Sequence, residues 1–342
     1  MQRSRKDPAA HWPRWRGPLD TGEAVDADPP VAWSADQNIA WKKAIPGHGL
    51  GTPVIWGDQI FLTSAEPVGP QLPERWSGAP GAHNNRPVRR RHRFLVMAID
   101  RRSGKMLWKR TANEMLPHAG GHETGSLASA SAATNGRQVV ASFGSYGLYA
   151  FDRQGTLLWQ RDLGRMQTKH GHGEGASPAL YGRTVVVNHD HEGQSYIAAF
   201  DAETGRLLWK KNRDEKTSWA TPIVIEVDGA TQVVVAGSDR IRGYDLKTGR
   251  VIWSCRGTSD NIVASPVHAG GVAIVGSSYG RQGMVAVRLA GASGDLDDTD
   301  HLLWRRTRRT PYVPSPLFYE GRVFIVKRGG IASCFDARTG EP

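Results

Sequence analysis

The sequence predicts an all-β fold, a β-propeller of four-stranded antiparallel blades, on three observations. A turn-and-indole segment, Asp-x-x-x-Gly-x-x-x-Trp, recurs at Asp100–Gly104–Trp108, Asp201–Gly205–Trp209 and Asp245–Gly249–Trp253. A second marker, a small polar residue followed by proline, keeps step with it at Thr52-Pro53, Ser177-Pro178, Thr221-Pro222, Ser265-Pro266 and Ser315-Pro316. Between the two markers lie short runs rich in Val and Ile with almost no helical periodicity, such as Val185-Val186-Val187 and Val233-Val234-Val235. Four short strand signals in a unit of about 44–52 residues are the signature of a propeller blade.

Each element has its physical reason. One four-stranded sheet cannot bury both its faces, whereas blades stacked face to face around an axis bury them in turn. The Asp-x-x-x-Gly segment is expected to make the tight turn between third and fourth strands, since Asp bonds its own backbone there and Gly accepts positive φ. The recurring Trp reads as a wedge between neighbouring blades rather than as a cofactor partner, because its position falls on an outer strand.

The copies are unequal. Asp152–Gly155–Trp159 is one residue shorter. Trp304 ends a degenerate unit whose turn is replaced by an insertion, Gly291 to Asp300. Asp336–Gly340 opens a sixth turn with no Trp after it, and Ser129-Ala130 is assigned to the marker slot of the second unit. Six blade starts are visible, and Trp41 reads as the end of a blade whose other strands come from elsewhere. The expectation is about six blades of a ring of seven or eight, truncated at the C-terminus. Residues 41–342 form the propeller, with a loop insertion at about 65–93, and residues 1–40 are an N-terminal extension that packs on it or closes it.

The segments Asp-Ala-Glu-Thr-Gly-Arg-Leu-Leu-Trp (201–209) and Asp-Leu-Lys-Thr-Gly-Arg-Val-Ile-Trp (245–253) resemble the PQQ-like, tryptophan-docked propeller repeat. Quinoprotein dehydrogenases and the propeller lipoprotein of outer-membrane protein assembly share that repeat. Trp12-Pro13-Arg14-Trp15-Arg16-Gly17-Pro18 and Asn38-Ile39-Ala40-Trp41-Lys42 resemble the opening of PQQ-like repeat proteins of planctomycete-type bacteria. The resemblance covers roughly residues 12–342. It implies the fold and a periplasmic or cell-envelope location, and it leaves activity open, since one fold hosts many functions.

Composition narrows the classes. Of 342 residues, 39% are hydrophobic and 23% charged, consistent with a folded globular chain, and 40 Gly with 20 Pro supply many turns. The net charge of +11 is partly local, in Arg86, Arg89, Arg90, Arg91, His92 and Arg93, and reads as a solvated basic loop. That single run, with little aromatic interleaving, gives no support to nucleic-acid binding. Cys255 and Cys334 form no CxxC or adjacent pair. No apolar window approaches the length of a transmembrane helix, and the basic start Met1–Pro8 is followed by no apolar signal core.

Propeller topology places the loop entering each innermost strand on one face, around the mouth of the central channel. Candidate ligand-binding residues there are His48, His118, His122, Glu123, His170, His172, Glu174, Trp219, Asn261, Arg309 and Tyr312. Three readings of these loops stay open: turn chemistry, a ligand pocket, and a divalent metal held by His170, His172 and Glu174 with His189 and His191. The metal set assumes strand-like alternation, which would turn His170, His172 and Glu174 to one side.

The function expected is a binding scaffold that presents this face to an envelope protein or to a small-molecule or saccharide ligand, as a monomer. The alternatives are a PQQ-dependent dehydrogenase, with the quinone on a Trp such as Trp219 and Ca²⁺ on Asn, Asp or Glu oxygens, and a metal-dependent enzyme using the His/Glu loops. The adjacent cysteine pair of the alcohol-oxidising dehydrogenases is missing, and no nucleophile elbow, HExxH or phosphate loop occurs.

Overall fold

The computed structural model describes residues 11–24, 27–277, 280–327 and 329–342. The basic start Met1–Pro8 therefore lies outside the described residues. Among the described residues six blade sheets, antiparallel between the blade's own strands, follow one another along the chain. Each runs outward in sequence order, as in blade three, with strands Ala179–Tyr181, Thr184–His189, Ser195–Asp201 and Leu207–Arg213. Blade six has the three strands Leu317–Tyr319, Arg322–Val326 and Ala332–Asp336.

The small-polar marker joins the blades. Thr52 N–H donates to Ser131 Oγ (2.8 Å), Ser131 N–H to Ser177 Oγ (2.9 Å) and Ser177 N–H to Thr221 Oγ1 (3.0 Å). Thr221 N–H then donates to Ser265 Oγ (3.0 Å) and Ser265 N–H to Ser315 Oγ (2.9 Å). Each hydroxyl thus accepts the first amide of the preceding blade's innermost strand, and the blades are laced around the axis. The second blade's slot is Ser131-Ala132, two residues beyond the expected Ser129-Ala130. Ser129 instead closes a local turn onto Ser126 O (2.9 Å).

The indoles lace the blades a second time, further out. Trp108 Nε1–H donates to Arg153 O, Trp159 to Ala202 O, Trp209 to Leu246 O and Trp304 to Ala337 O, each in the next blade's turn. Trp41 does the same to Arg101 O of blade one. Every one of these rings lies over the turn glycine, where a Cβ would stand 2.5–2.8 Å from the indole. Within its own sheet each Trp pairs with a small residue beside a register shift, as Trp108 with Ala98, Trp159 with Ala150, Trp209 with Ala199 and Trp304 with Ala286. Trp253 is the exception. Blade five lacks the Asp-x-x-x-Gly turn, neither Gly291 nor Gly294 of its loop lies under the indole, and Trp253 Nε1–H donates to Gln232 Oε1 of its own blade (2.9 Å). The blade-five insertion instead sends Gly294–Asp295 back to pair in parallel with Trp253 and Ser254.

Two features shape the rim. In blade one, Gln59–Val68 and Arg91–Asp100 stay paired from Gln59↔Asp100 to Val68↔Arg91, so the loop itself is residues 69–90, a strap. The N-terminal segment starts on the innermost strand of that same blade and runs along the inner strands. His11–Trp12 pairs with Val54–Trp56, Pro13 O accepts from Thr134 N–H (2.8 Å), and Trp15 Nε1–H reaches Ser265 Oγ (3.3 Å). Arg14 and Asp20 form an ion pair at 2.8 Å in this segment. No helix among the described residues is long and apolar enough to cross a membrane.

Candidate functional site

The strap is pinned across the rim loops of blades two and three. Asn85 and Arg86 pair with His122 and Gly121. Asn85 Nδ2–H donates to His170 O (2.8 Å), Glu123 N–H to Asn84 O (2.7 Å), and His122 N–H to His172 O (3.0 Å). Gly120 permits the approach, since a Cβ there would lie 2.0 Å from Arg86 O. The strap thereby carries His83 into a cluster of four imidazoles. The His83 ring is 5.0 Å from that of His170 and 4.8 Å from that of His172, and the His172 ring is 4.8 Å from His122 and 5.4 Å from His170.

Three of the rings are oriented by their Nδ1 atoms. His83 Nδ1–H donates to Gly81 O (2.7 Å) and His170 Nδ1–H to Pro80 O (3.3 Å), while His122 Nδ1 meets Thr124 Oγ1 (2.8 Å). His172 Nε2 is buried without a hydrogen-bond partner. Burial, followed by the neighbouring rings of His122, His83 and His170, pushes the His172 imidazolium down to about 4, so this ring is neutral at neutral pH.

Beyond the cluster a cavity of about 570 Å³ opens at the channel mouth. All six blades reach it. Blade one contributes His83 and Asn84 from the strap, blade two His122 and Thr124, and blade three His172. Trp219 comes from blade four, Asn261 and Val263 from the loop entering blade five, and Tyr312 and Val313 from the loop entering blade six. Trp219 also lines a smaller inner chamber of about 50 Å³, and so stands between the two. Its ring is fixed by Nε1–H donating to Gly173 O (2.7 Å). Asn261 Oδ1 is buried and has no partner.

The remaining candidates lie elsewhere. Glu174 turns away from His170 and His172, and its oxygens accept from Ser145 N–H (2.6 Å) and Ser145 Oγ–H. Burial pushes its carboxyl up to about 7. The expected alternation fails because 169–171 is a 3-10 turn with His170 at φ +55°, so the backbone there is not strand-like. His189 stacks on Tyr196 (4.5 Å between centroids), and burial, with His191 and Lys210, pushes it down to about 3. His191 Nδ1 accepts from Gln167 and Gly193 N–H (both 3.1 Å). Asp190 between them is held by Arg213 in a bidentate pair at 2.8 and 3.0 Å. The proposed five-residue metal set is therefore not brought together. Among the described residues no three His, Cys, Asp or Glu side chains are arranged to hold one metal ion.

His48 pairs through its backbone with Ala65 and lines a separate cavity of about 230 Å³. His118 Nε2–H donates to Met166 O (3.2 Å) beside the inner chamber. Glu123 and Arg309 are exposed, and neither lines the mouth. His83 and Asn84 escaped sequence reasoning. The only signal was a His-Asn-Asn tripeptide inside the insertion, and nothing local says that it crosses two blades.

A family model described as outer membrane protein assembly factor BamB matches residues 92–296, more than half of the chain. The chain belongs to this BamB family. The BamB of Bordetella pertussis is 30% identical over 107 residues, 31% of this chain and 25% of that protein. Methanol dehydrogenase [cytochrome c] subunit 1 of Methylorubrum extorquens is 27% identical over 157 residues, 39% of this chain and 23% of that subunit. The matches thus span about a quarter of each curated relative. Among solved structures, BamB from Moraxella catarrhalis aligns over 73% of this chain and 68% of its own at 20% identity and a TM-score of 0.47. A europium-containing methanol dehydrogenase aligns over 87% and 78% at 10% identity and a TM-score of 0.44.

The mouth of this BamB-family propeller does not fit the calcium–quinone pair of the dehydrogenases. Its lining has no Asp or Glu to supply hard oxygen ligands to Ca²⁺, and no Lys or Arg to meet a quinone tricarboxylate.

Proposed function

We propose that this BamB-family propeller is a binding scaffold of the cell envelope that presents its loop face to a protein or a small molecule. The observation that carries the reading is the mouth to which loops of all six blades contribute. Its walls are tied by backbone hydrogen bonds between strap and loops, so the face is preorganised and loses little freedom on binding. The envelope location and a protein partner rest on what the BamB relative's name says of that relative.

Site-specific photo-cross-linking in cells tests the proposal. Photoreactive residues at Thr124 and Val313 on the mouth are expected to trap one defined molecule. The same residue at Ser103 or Lys247, in the Asp-x-x-x-Gly turns of the opposite face, is expected to trap none. Capture only from the turn face contradicts the reading.

A further inference from the structure

We propose that the mouth takes an uncharged polyhydroxylated ligand, a short neutral oligosaccharide stacked on Trp219 and hydrogen-bonded by Asn261, His172 and Thr124. This deepens the binding reading and rests on it, adding the chemical class of the ligand.

Four observations point to that class. The first is charge. The lining carries no carboxylate, Lys or Arg; Glu123 and Arg309 are exposed and outside it, and Lys169 Nζ bonds Asp260 O (3.3 Å). The His172 imidazole is kept neutral by its burial and its three neighbours. A charged ligand seated there would lose water and gain no counter-ion.

The second is aromatic surface. Trp219, Tyr312, His83, His122 and His172 all face the cavity. A pyranose has a C–H face that packs on such rings and a rim of hydroxyls that does not. The third is hydrogen-bonding capacity. Asn and His each both donate and accept, as a sugar hydroxyl does. Asn261 Oδ1 and His172 Nε2 already lie buried without partners. A purely apolar ligand leaves both unpaired, whereas a ligand hydroxyl that reaches them satisfies them.

The fourth is size and rigidity. A cavity of about 570 Å³ is in the range that encloses a ligand of several rings rather than a single small one. The Trp219 ring is locked by its bond to Gly173 O, so a stacked sugar meets a platform already in place.

The experiment is calorimetric titration of the full chain with cellotriose, maltotriose and chitotriose, followed in parallel by tryptophan emission. At least one trisaccharide is expected to bind saturably with a shift in emission. Trp219→Ala is expected to weaken it by at least about tenfold, equivalent to about 1.4 kcal/mol. Trp219→Phe is expected to retain most of the affinity, and Asn261→Ala to lose a smaller part. Near-ultraviolet circular dichroism checks that each variant folds. If Trp219→Ala does not fold, the Asn261→Ala and Thr124→Val variants carry the test, since neither side chain is in the core.

Three results overturn the inference: no binding by any neutral trisaccharide at millimolar concentration, tighter binding of trigalacturonate or of an uncharged tetrapeptide than of every sugar, or affinity unchanged in Trp219→Phe and Trp219→Ala alike. If the sugars fail while photoreactive Val313 still traps a partner in cells, the ligand class is wrong and the binding face stands.

Discussion

Gly205 shows how one residue carries two constraints at once. Its φ of +66° sits where an L side chain is strained, and the Trp159 indole lies 2.6 Å from where a Cβ would be. Gly205→Ala should therefore destabilise the fold by roughly 2–4 kcal/mol, from left-handed backbone strain plus displacement of the ring. Equilibrium urea unfolding measures it, and a loss well under 1 kcal/mol would mean that the turn and indole relax freely. Both halves of this contact were legible in the sequence, because the turn chemistry of Asp and Gly is local and the Trp of the preceding repeat, Trp159, reads as a wedge against the neighbouring blade. Asp201 Oδ1 indeed accepts from Thr204 N–H and Oγ1–H (both 2.9 Å) inside that turn.

The buried titratable groups near the mouth pull stability in opposite directions with pH. His172 and His189 are held at about 4 and about 3 against an ordinary 6.5, so the unfolded chain binds more protons over that window. Their contribution is complete above pH 6.5 and is lost as pH falls toward 4 and 3. Glu174 has the opposite sign. Its carboxyl is raised from 4.5 to about 7, so its protonated form stabilises the fold below 4.5 and that contribution is lost as pH rises through 7. The urea midpoint should fall on acidification below 6.5 less steeply in His172→Gln than in the parent chain. Glu174→Gln should remove the decline that develops on raising pH from 4.5 to 7, and identical profiles for parent and variant would contradict the assignment.

At the scale of elements, the hydroxyl chain Ser131, Ser177, Thr221, Ser265 and Ser315 ties successive innermost strands by their first amides. Ser177→Ala leaves the Ser131 amide, in a buried setting, with no partner, and should cost about 1–3 kcal/mol. Ser177→Thr should restore most of it, and unfolding curves of the two variants decide. The second blade's slot was misplaced because 128–133 reads Ala-Ser-Ala-Ser-Ala-Ala, with two serines and no proline to mark the strand start. The register is set by pairing of Ala133 with Val140, a tertiary fact. The same limit applies to Trp253, whose partner turn in blade five is replaced by the insertion, and whose indole bonds Gln232 instead. Likewise, the alternation argument for His170, His172 and Glu174 presumed strand backbone, where a left-handed residue redirects the chain.

For the molecule as a whole, the blade order and the face on which the loops lie followed from the repeat, because every blade obeys the same local rules. The content of the mouth did not. Its cluster depends on a strap that leaves blade one and is held 37 residues later in sequence at His122 by pairing with Asn85, a distance no periodicity encodes. The N-terminal segment, which reaches Ser265 and the inner strands of blades one and two, is another long-range placement. The central claim is that strap and rim loops from opposite parts of the arc enclose one mouth. Pulsed electron-electron resonance between spin labels at Asn84 and Val313, both exposed mouth residues, in a chain with Cys255→Ala and Cys334→Ser, measures it most directly. A single short, narrow distance distribution is the predicted result. A long or broad distribution would contradict the account and remove the mouth on which the proposed binding function rests.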